Sequence, residues 1–147
     1  MKTQKLSRIT LSILAGTFVV LMLIPLASCA KKIHFLTSSV VPAAKGFVVI
    51  KSDKNKNYKV KIQVSDLAEV DRLESANTTY VVWMVTDQGN TENLGQLKSS
   101  TSFLSKQHTA QLETVSSYKP TKIFITTENG INVQYPGKEV VLTTDSF

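Results

Sequence analysis

The residue type best suited to covalent chemistry occurs once in this chain of 147 residues, at Cys29. It follows Leu26, Ala27 and Ser28, so an aliphatic and two small side chains precede the thiol. A thiolate is a strong nucleophile, and its sulfur can be alkylated to a thioether. A single cysteine excludes an internal disulfide, and in an exported chain an unmodified one would be a free reactive thiol. Cys29 is therefore the first candidate for a modified residue.

The segment before Cys29 has the pattern of a signal peptide. Lys2, Lys5 and Arg8 form a positive start, and an uncharged, mostly apolar run occupies residues 9–26. A positive flank, an apolar run and small residues at its end are typical of a secretory signal. The alternative is an uncleaved transmembrane helix, since the run is just long enough to span a bilayer. The polar and helix-breaking residues inside the run favour the signal, and they are Thr10, Ser12, Gly16, Thr17 and Pro25.

The four residues Leu26-Ala27-Ser28-Cys29 resemble the lipobox of bacterial lipoproteins. The resemblance implies that Cys29 receives a diacylglycerol and that a peptidase removes residues 1–28. Two or three acyl chains give stable anchoring, at about 0.8 kcal/mol per buried methylene. We therefore expect a chain in the cell envelope, with the membrane as partner through the lipid and an envelope protein as a second partner. Ala30 and two lysines follow Cys29 instead of an acidic export signal, which favours a periplasm-facing location.

Residues 29–147 have the length of one domain, which is enough to bury a core without disulfides or metals. Lys2, Lys5 and Arg8 carry half of the net charge of +6, so the charge of the mature part is modest and no nucleic-acid partner is expected. We divide the chain into a signal at 1–28, an anchor, tether and first strand at 29–42, and a β-sandwich domain at 43–147.

The mature part alternates apolar and polar residues with the period of a β-strand. Residues 58–64 alternate strictly, which predicts a strand with one solvent-exposed face, and residues 79–86 carry apolar residues on both faces, which predicts a central strand. A first strand is predicted at 33–41, ending before Pro42, and a further short strand at 93–98. At most one helical turn is predicted at 65–73. Seven or eight short strands with turn residues between them predict an all-β, antiparallel, immunoglobulin-like sandwich preceded by a signal helix. The Cys…Trp…Cys pattern of true immunoglobulin domains is not present.

A second resemblance lies in residues 78–83 (TTYVVW), 93–97 (NLGQL) and 124–128 (FITTE), followed by the Pro136-Gly137 turn. In this order they resemble the extracytoplasmic C-terminal domain of anti-sigma-K-type factors and the bacterial lipoproteins similar to it. The resemblance extends over residues 46–143 and implies a β-sandwich without catalytic residues. It does not imply sigma-factor regulation, because that activity belongs to a cytoplasmic domain of those proteins.

The remaining candidates for chemistry are dispersed. His34 and His108 stand alone, whereas a zinc site requires several ligands at hairpin or helical spacing, so we expect surface histidines. Glu128 ends an apolar strand, where it either has a perturbed, functional carboxylate or accepts hydrogen bonds that fix the strand end; we favour the second. Tyr80 and Trp83 are three residues apart, so they lie on opposite strand faces. We expect one of the two side chains to lie in the core. The other either packs against the domain as well or is exposed and available for an aromatic contact.

A phosphate-binding loop and the common hydrolase motifs are missing from the sequence. We therefore expect no enzyme, no cofactor and no metal, but a membrane-anchored lipoprotein whose non-catalytic β-sandwich serves binding or envelope structure. Two alternatives remain open. One is a regulatory sensor akin to the anti-sigma outer domain, and the other is a metal-binding or enzymatic lipoprotein that uses Glu128, His34 and His108.

Overall fold

A computed structural model of the chain describes residues 30–70, 73, 77–100 and 109–147. The predicted signal helix, residues 1–28, lies outside these ranges. The described part is all-β, as predicted, and no helix in it is long and apolar enough to cross a bilayer. Its nine strands are β1 (Lys31–His34), β2 (Lys45–Ser52), β3 (Tyr58–Ser65), β4 (Thr79–Thr86), β5 (Thr91–Gln96), β6 (Lys98–Ser100), β7 (Thr109–Ser116), β8 (Pro120–Glu128) and β9 (Val140–Thr143).

The strands form two antiparallel sheets. The first sheet has the order β1-β2-β3-β7-β6, and the second has the order β5-β4-β8-β9. Strand β4 lies inside the second sheet between β5 and β8, and all but one of its side chains are buried. A strand between two neighbours and covered on both faces needs apolar residues at successive positions. This confirms residues 79–86 as the predicted central strand.

The core lies between the two sheets and follows from alternation along the strands. Val60, Ile62 and Val64 of β3 are completely buried, while the intervening Lys59, Lys61 and Gln63 are exposed. Opposite them, β4 contributes Tyr80, Val82 and Met84 to the same core cluster. This confirms the prediction that residues 58–64 form a strand with one solvent-exposed face. Two sheets joined by such a core make a β-sandwich.

The first strand differs from its prediction. Strand β1 ends at His34, and the chain then leaves the first sheet instead of continuing to Val41. The N–H of Leu36 donates to the carbonyl of Thr143 beside β9 (2.8 Å). The hydroxyl oxygen of Ser38 accepts from the N–H of Val41 (2.9 Å), which bends the backbone into a turn. The local serine bond competes with the extended conformation that the apolar run favours.

The predicted strand at 93–98 is also divided. Strand β5 ends at Gln96 in the second sheet, and β6 begins at Lys98 in the first. The crossing residue Leu97 is buried, and its N–H donates to the carbonyl of Tyr80 (3.0 Å). Gly95 has a φ of 116°, next to an irregularity in the β4–β5 register, and glycine adopts this conformation without strain. This division accounts for a strand count above the expected one.

We expect Val60→Ala to lower the free energy of unfolding by about 2 kcal/mol, because the removed methyl groups are completely buried in the core. Val115→Ala is the matched control, since Val115 lies on the adjacent strand β7 with 64% of its surface exposed. Both changes replace valine by alanine on a strand that has a neighbour on each side, so their difference mainly measures the burial of the side chain. Urea denaturation gives both values. Equal losses would contradict the assignment of the core to this face of β3.

Candidate functional site

The predicted site residues are distributed over several places. Cys29 and His108 lie outside the described residues. His34 is exposed on β1 at the edge of the first sheet, with its ring centre 6.2 Å from that of Phe47. Glu128 is at the end of β8 in the second sheet. Within the described ranges, no three His, Cys, Asp or Glu side chains lie together in a group that could hold a metal ion.

The carboxylate of Glu128 is buried and ties two parts of the second sheet together. Its Oε1 accepts hydrogen bonds from the hydroxyl of Thr126 (2.5 Å) and from the N–H of Gly137 (2.6 Å). The Thr126 oxygen in turn accepts from the indole N–H of Trp83 (2.8 Å). A buried carboxylate needs such donors, because a charge without partners is costly away from water. The geometry supports the hypothesis that Glu128 fixes a strand end.

The connection from β8 to β9, residues 129–139, crosses the outside of the second sheet. The amide of Asn93 on β5 donates to the carbonyls of Ile131 and Val133, both at 3.0 Å. The chain then returns to Gly137, where a Cβ atom would lie 3.1 Å from both carboxylate oxygens of Glu128. Glycine at this position therefore permits the close approach of backbone and carboxylate. Sequence reasoning singled out the Pro136-Gly137 turn but not its contact with Glu128.

Tyr80 and Trp83 lie on opposite faces of β4, as predicted, and both are buried. Tyr80 belongs to the core cluster between the sheets. Trp83 faces outward, where its ring stacks near Phe124 of β8 with 6.4 Å between ring centres. Because Trp83 has no exposed surface, the alternative of an exposed aromatic contact is wrong for this pair.

A groove of about 770 Å³ opens at the end of the sandwich where β4 and β7 begin. Tyr80, Leu97 and Ala110 from the core reach it, and residues 67–70 of the β3–β4 connection form one side. Its volume is in the range of small-molecule sites, which combine apolar walls with a few polar groups. The lining residues in the described part of the chain are Leu67, Ala68, Glu69, Val70, Asn77, Thr78, Thr79, Tyr80, Gln96, Leu97, Lys98, Thr109 and Ala110. They come from separate parts of the chain, so no sequence motif marked the groove.

The phenol of Tyr80 is held in one orientation at this groove. Its hydroxyl donates to the carbonyl of Ala68 (2.9 Å), which attaches the β3–β4 connection to the core. Burial and then the negative charge of Glu139 raise the pKa of Tyr80 to about 12. Glu139 accepts a hydrogen bond from the hydroxyl of Thr127 (2.6 Å), the cross-strand partner of Tyr80. The groove thus has a neutral phenol near its apolar walls, an arrangement that can bind and orient a ligand.

Comparison with protein-family models, curated proteins and solved structures found no match for this chain. We therefore base the functional proposal on the geometry of the chain itself. The geometry offers two features: a covered, hydrogen-bonded outer face on the second sheet, and a groove between the sheets at one end.

Removing the Glu128 carboxylate should release the β8–β9 connection. We expect Glu128→Ala to lower the free energy of unfolding by about 2 to 3 kcal/mol, because the donors on Thr126 and Gly137 lose their acceptor. Glu128→Gln keeps an oxygen acceptor without the charge, so about 1 kcal/mol is expected. Amide hydrogen exchange at Gly137 and urea denaturation measure both effects. Unchanged exchange in the alanine variant would show that the carboxylate does not hold the connection.

The raised pKa of Tyr80 predicts a loss of stability in alkali. The folded state retains the phenol proton up to a pKa of about 12, whereas the ordinary value is 10.0. The unfolded state therefore releases this proton first, and the free energy of unfolding declines between these two values. In Tyr80→Phe the free energy of unfolding should decline less over this pH range. Urea unfolding curves of both proteins, recorded at several pH values in this range, measure the difference. An identical decline in both proteins would refute the assignment.

Proposed function

We propose that this chain is a bacterial lipoprotein of the cell envelope, anchored through a diacylglycerol on Cys29. Its β-sandwich acts without catalysis, as a binding or structural module held at the membrane on the periplasmic side. One observation carries the proposal: β1 begins at Lys31, two residues after the candidate anchor, and pairs in register with β2. The sandwich therefore follows the thiol almost directly, as expected for a module that a lipid is to hold at a surface.

The distance from anchor to domain is short. Two residues extend at most about 7 Å, so a lipid on Cys29 would lie next to the edge strand β1. Lys31 and Lys32 are exposed, and their ammonium groups lie 5.1 Å and 3.8 Å from the ring centres of Phe147 and Phe47. Anchoring in this way keeps a binding module at high local concentration near envelope partners.

The fold we propose is immunoglobulin-like in its strand order. Without β1, the sheets read β2-β3-β7-β6 and β5-β4-β8-β9. These orders correspond to A-B-E-D and C′-C-F-G of immunoglobulin-like sandwiches, which commonly serve recognition. One difference is the tryptophan of the C strand. Trp83 lies on the outer face of β4, and Val82 and Met84 occupy the core side.

The groove at the start of β4 supports binding as the role of the domain over a purely structural one. Its apolar walls and polar rim combine the groups that a small amphipathic ligand requires.

Cys29→Ala should abolish attachment of a labelled fatty acid and leave a precursor that retains residues 1–28. The reason is that thioether formation requires the thiol and precedes cleavage. Metabolic labelling in a bacterial host, followed by mass spectrometry of the intact chain, measures both effects. Ala30→Ser is the control, because it changes the next residue and keeps the thiol. Labelling of the Cys29→Ala variant at the level of the control would overturn the proposal.

A further inference from the structure

The outer face of the first sheet carries a concentration of lysines. Strand pairing in register places them on the side that points away from the core, and all are exposed. We call this surface the lysine face; its lysines are Lys32, Lys45, Lys51, Lys59, Lys61 and Lys98.

The negative charge of the described residues lies mostly elsewhere. The lysine face holds six of their twelve lysines but one of their nine carboxylates, Glu113. That carboxylate is bonded to the ammonium of Lys59 at 2.5 Å. The hydrogen bond and charge of Lys59, followed by the charge of Lys61, lower the pKa of Glu113. The face therefore has a strong excess of positive charge.

This arrangement is unfavourable for the isolated fold. Lys51 and Lys59 are directly opposed on β2 and β3, and opposed like charges destabilise a sheet; Glu113 offsets the charge of Lys59 but leaves the remaining lysines of the face without a carboxylate among the described residues of this face. Lysines on edge strands protect against unwanted strand pairing, which accounts for Lys32 on β1 and Lys98 on β6. It does not account for the lysines on the inner strands β2 and β3. An anionic partner would offset their repulsion.

Apolar side chains lie between the lysines. Phe47 and Val49 are half-buried on β2, and Val115 on β7 is 64% exposed. The ammonium of Lys32 lies 3.8 Å from the ring centre of Phe47. Basic residues with apolar neighbours on an open sheet surface suit the boundary of a bilayer, where headgroups are anionic and acyl chains lie just beneath.

We propose that the lysine face lies on the anionic phospholipid headgroups of the membrane that holds the chain. That the anions belong to a membrane rests on the proposed function. If Cys29 carries a lipid, its short connection to β1 brings this sheet close to the bilayer. Strand β1, which follows the candidate anchor in the chain, belongs to the same sheet as the lysine face.

The test is lysine footprinting of the full chain reconstituted in vesicles. An amine-acetylating reagent is applied in vesicles of phosphatidylcholine alone and of phosphatidylcholine with phosphatidylglycerol, and mass spectrometry reads each lysine. On anionic vesicles we expect acetylation of the lysine face to slow about fivefold, the factor that corresponds to the attraction of one lysine to an anionic surface. Lys119, Lys122 and Lys138 lie outside the lysine face and should react equally in both lipids. High salt should remove the protection.

A matched pair of variants isolates the face from total charge. Lys45→Gln, Lys51→Gln and Lys61→Gln together should remove the protection of the remaining lysines of the face. The control combines Lys119→Gln, Lys122→Gln and Lys138→Gln, which removes the same charge and should retain the protection.

Equal acetylation in both lipids, or loss of protection in both variants, would overturn the proposal. Protection by the linear polyanion heparin but not by anionic vesicles would also overturn it, in favour of a polymer partner. The intact mass of the chain shows whether Cys29 carries a diacylglycerol, and the acetylation rates show whether the lysine face contacts the membrane. The two measurements therefore test the proposed function and this inference separately. A chain without diacylglycerol on Cys29 that is still protected on anionic vesicles refutes the anchor and retains the face.

Discussion

The burial of β4 on both faces is the constraint on which the domain depends. On the inner side, Tyr80, Val82 and Met84 pack into the core shared with β3. On the outer side, Val81 and Trp83 are completely buried although they lie outside the core between the sheets. A single sandwich covers one face of each strand, so the second face of β4 needs another cover. The β8–β9 connection runs over this side, bonded to Asn93 at one point and to Glu128 at another.

The hydrogen bonds of Glu128 follow from this constraint. An irregular segment that crosses a sheet has backbone groups that cannot enter the strand ladder, and buried ones must find partners. Glu128 supplies an acceptor for the partly buried N–H of Gly137, and Asn93 adds two solvent-exposed hydrogen bonds to carbonyls of the same segment. Trp83 also satisfies its indole N–H through Thr126, so the outer face is closed by polar contacts around one large aromatic ring.

The two sheets consequently have different outer surfaces. The second sheet is covered by its own chain, whereas no described residue covers the outer face of the first, which has alternating polar and apolar residues. An open face is available for contact with a surface, and in this domain it carries the lysine face. The groove lies at one end of the sandwich, between the sheets, and it meets the lysine face at Lys98, which belongs to both.

The all-β class and the exposed and buried faces of individual strands could be predicted from the order of residues, because side-chain alternation is a local property. The pattern of residues 58–64 sufficed for β3, and the continuous apolar run for β4. It did not determine which strands become neighbours, since pairing joins residues far apart in the chain. The turn at Ser38, the crossing at Leu97 and the contact of Glu128 with Gly137 depend on such neighbours. The lysine face likewise exists only because the register of four strands places separate lysines side by side. These features depend on the tertiary structure. The alternation of residues along a strand specifies which face is buried, but it does not specify which other strand pairs with it.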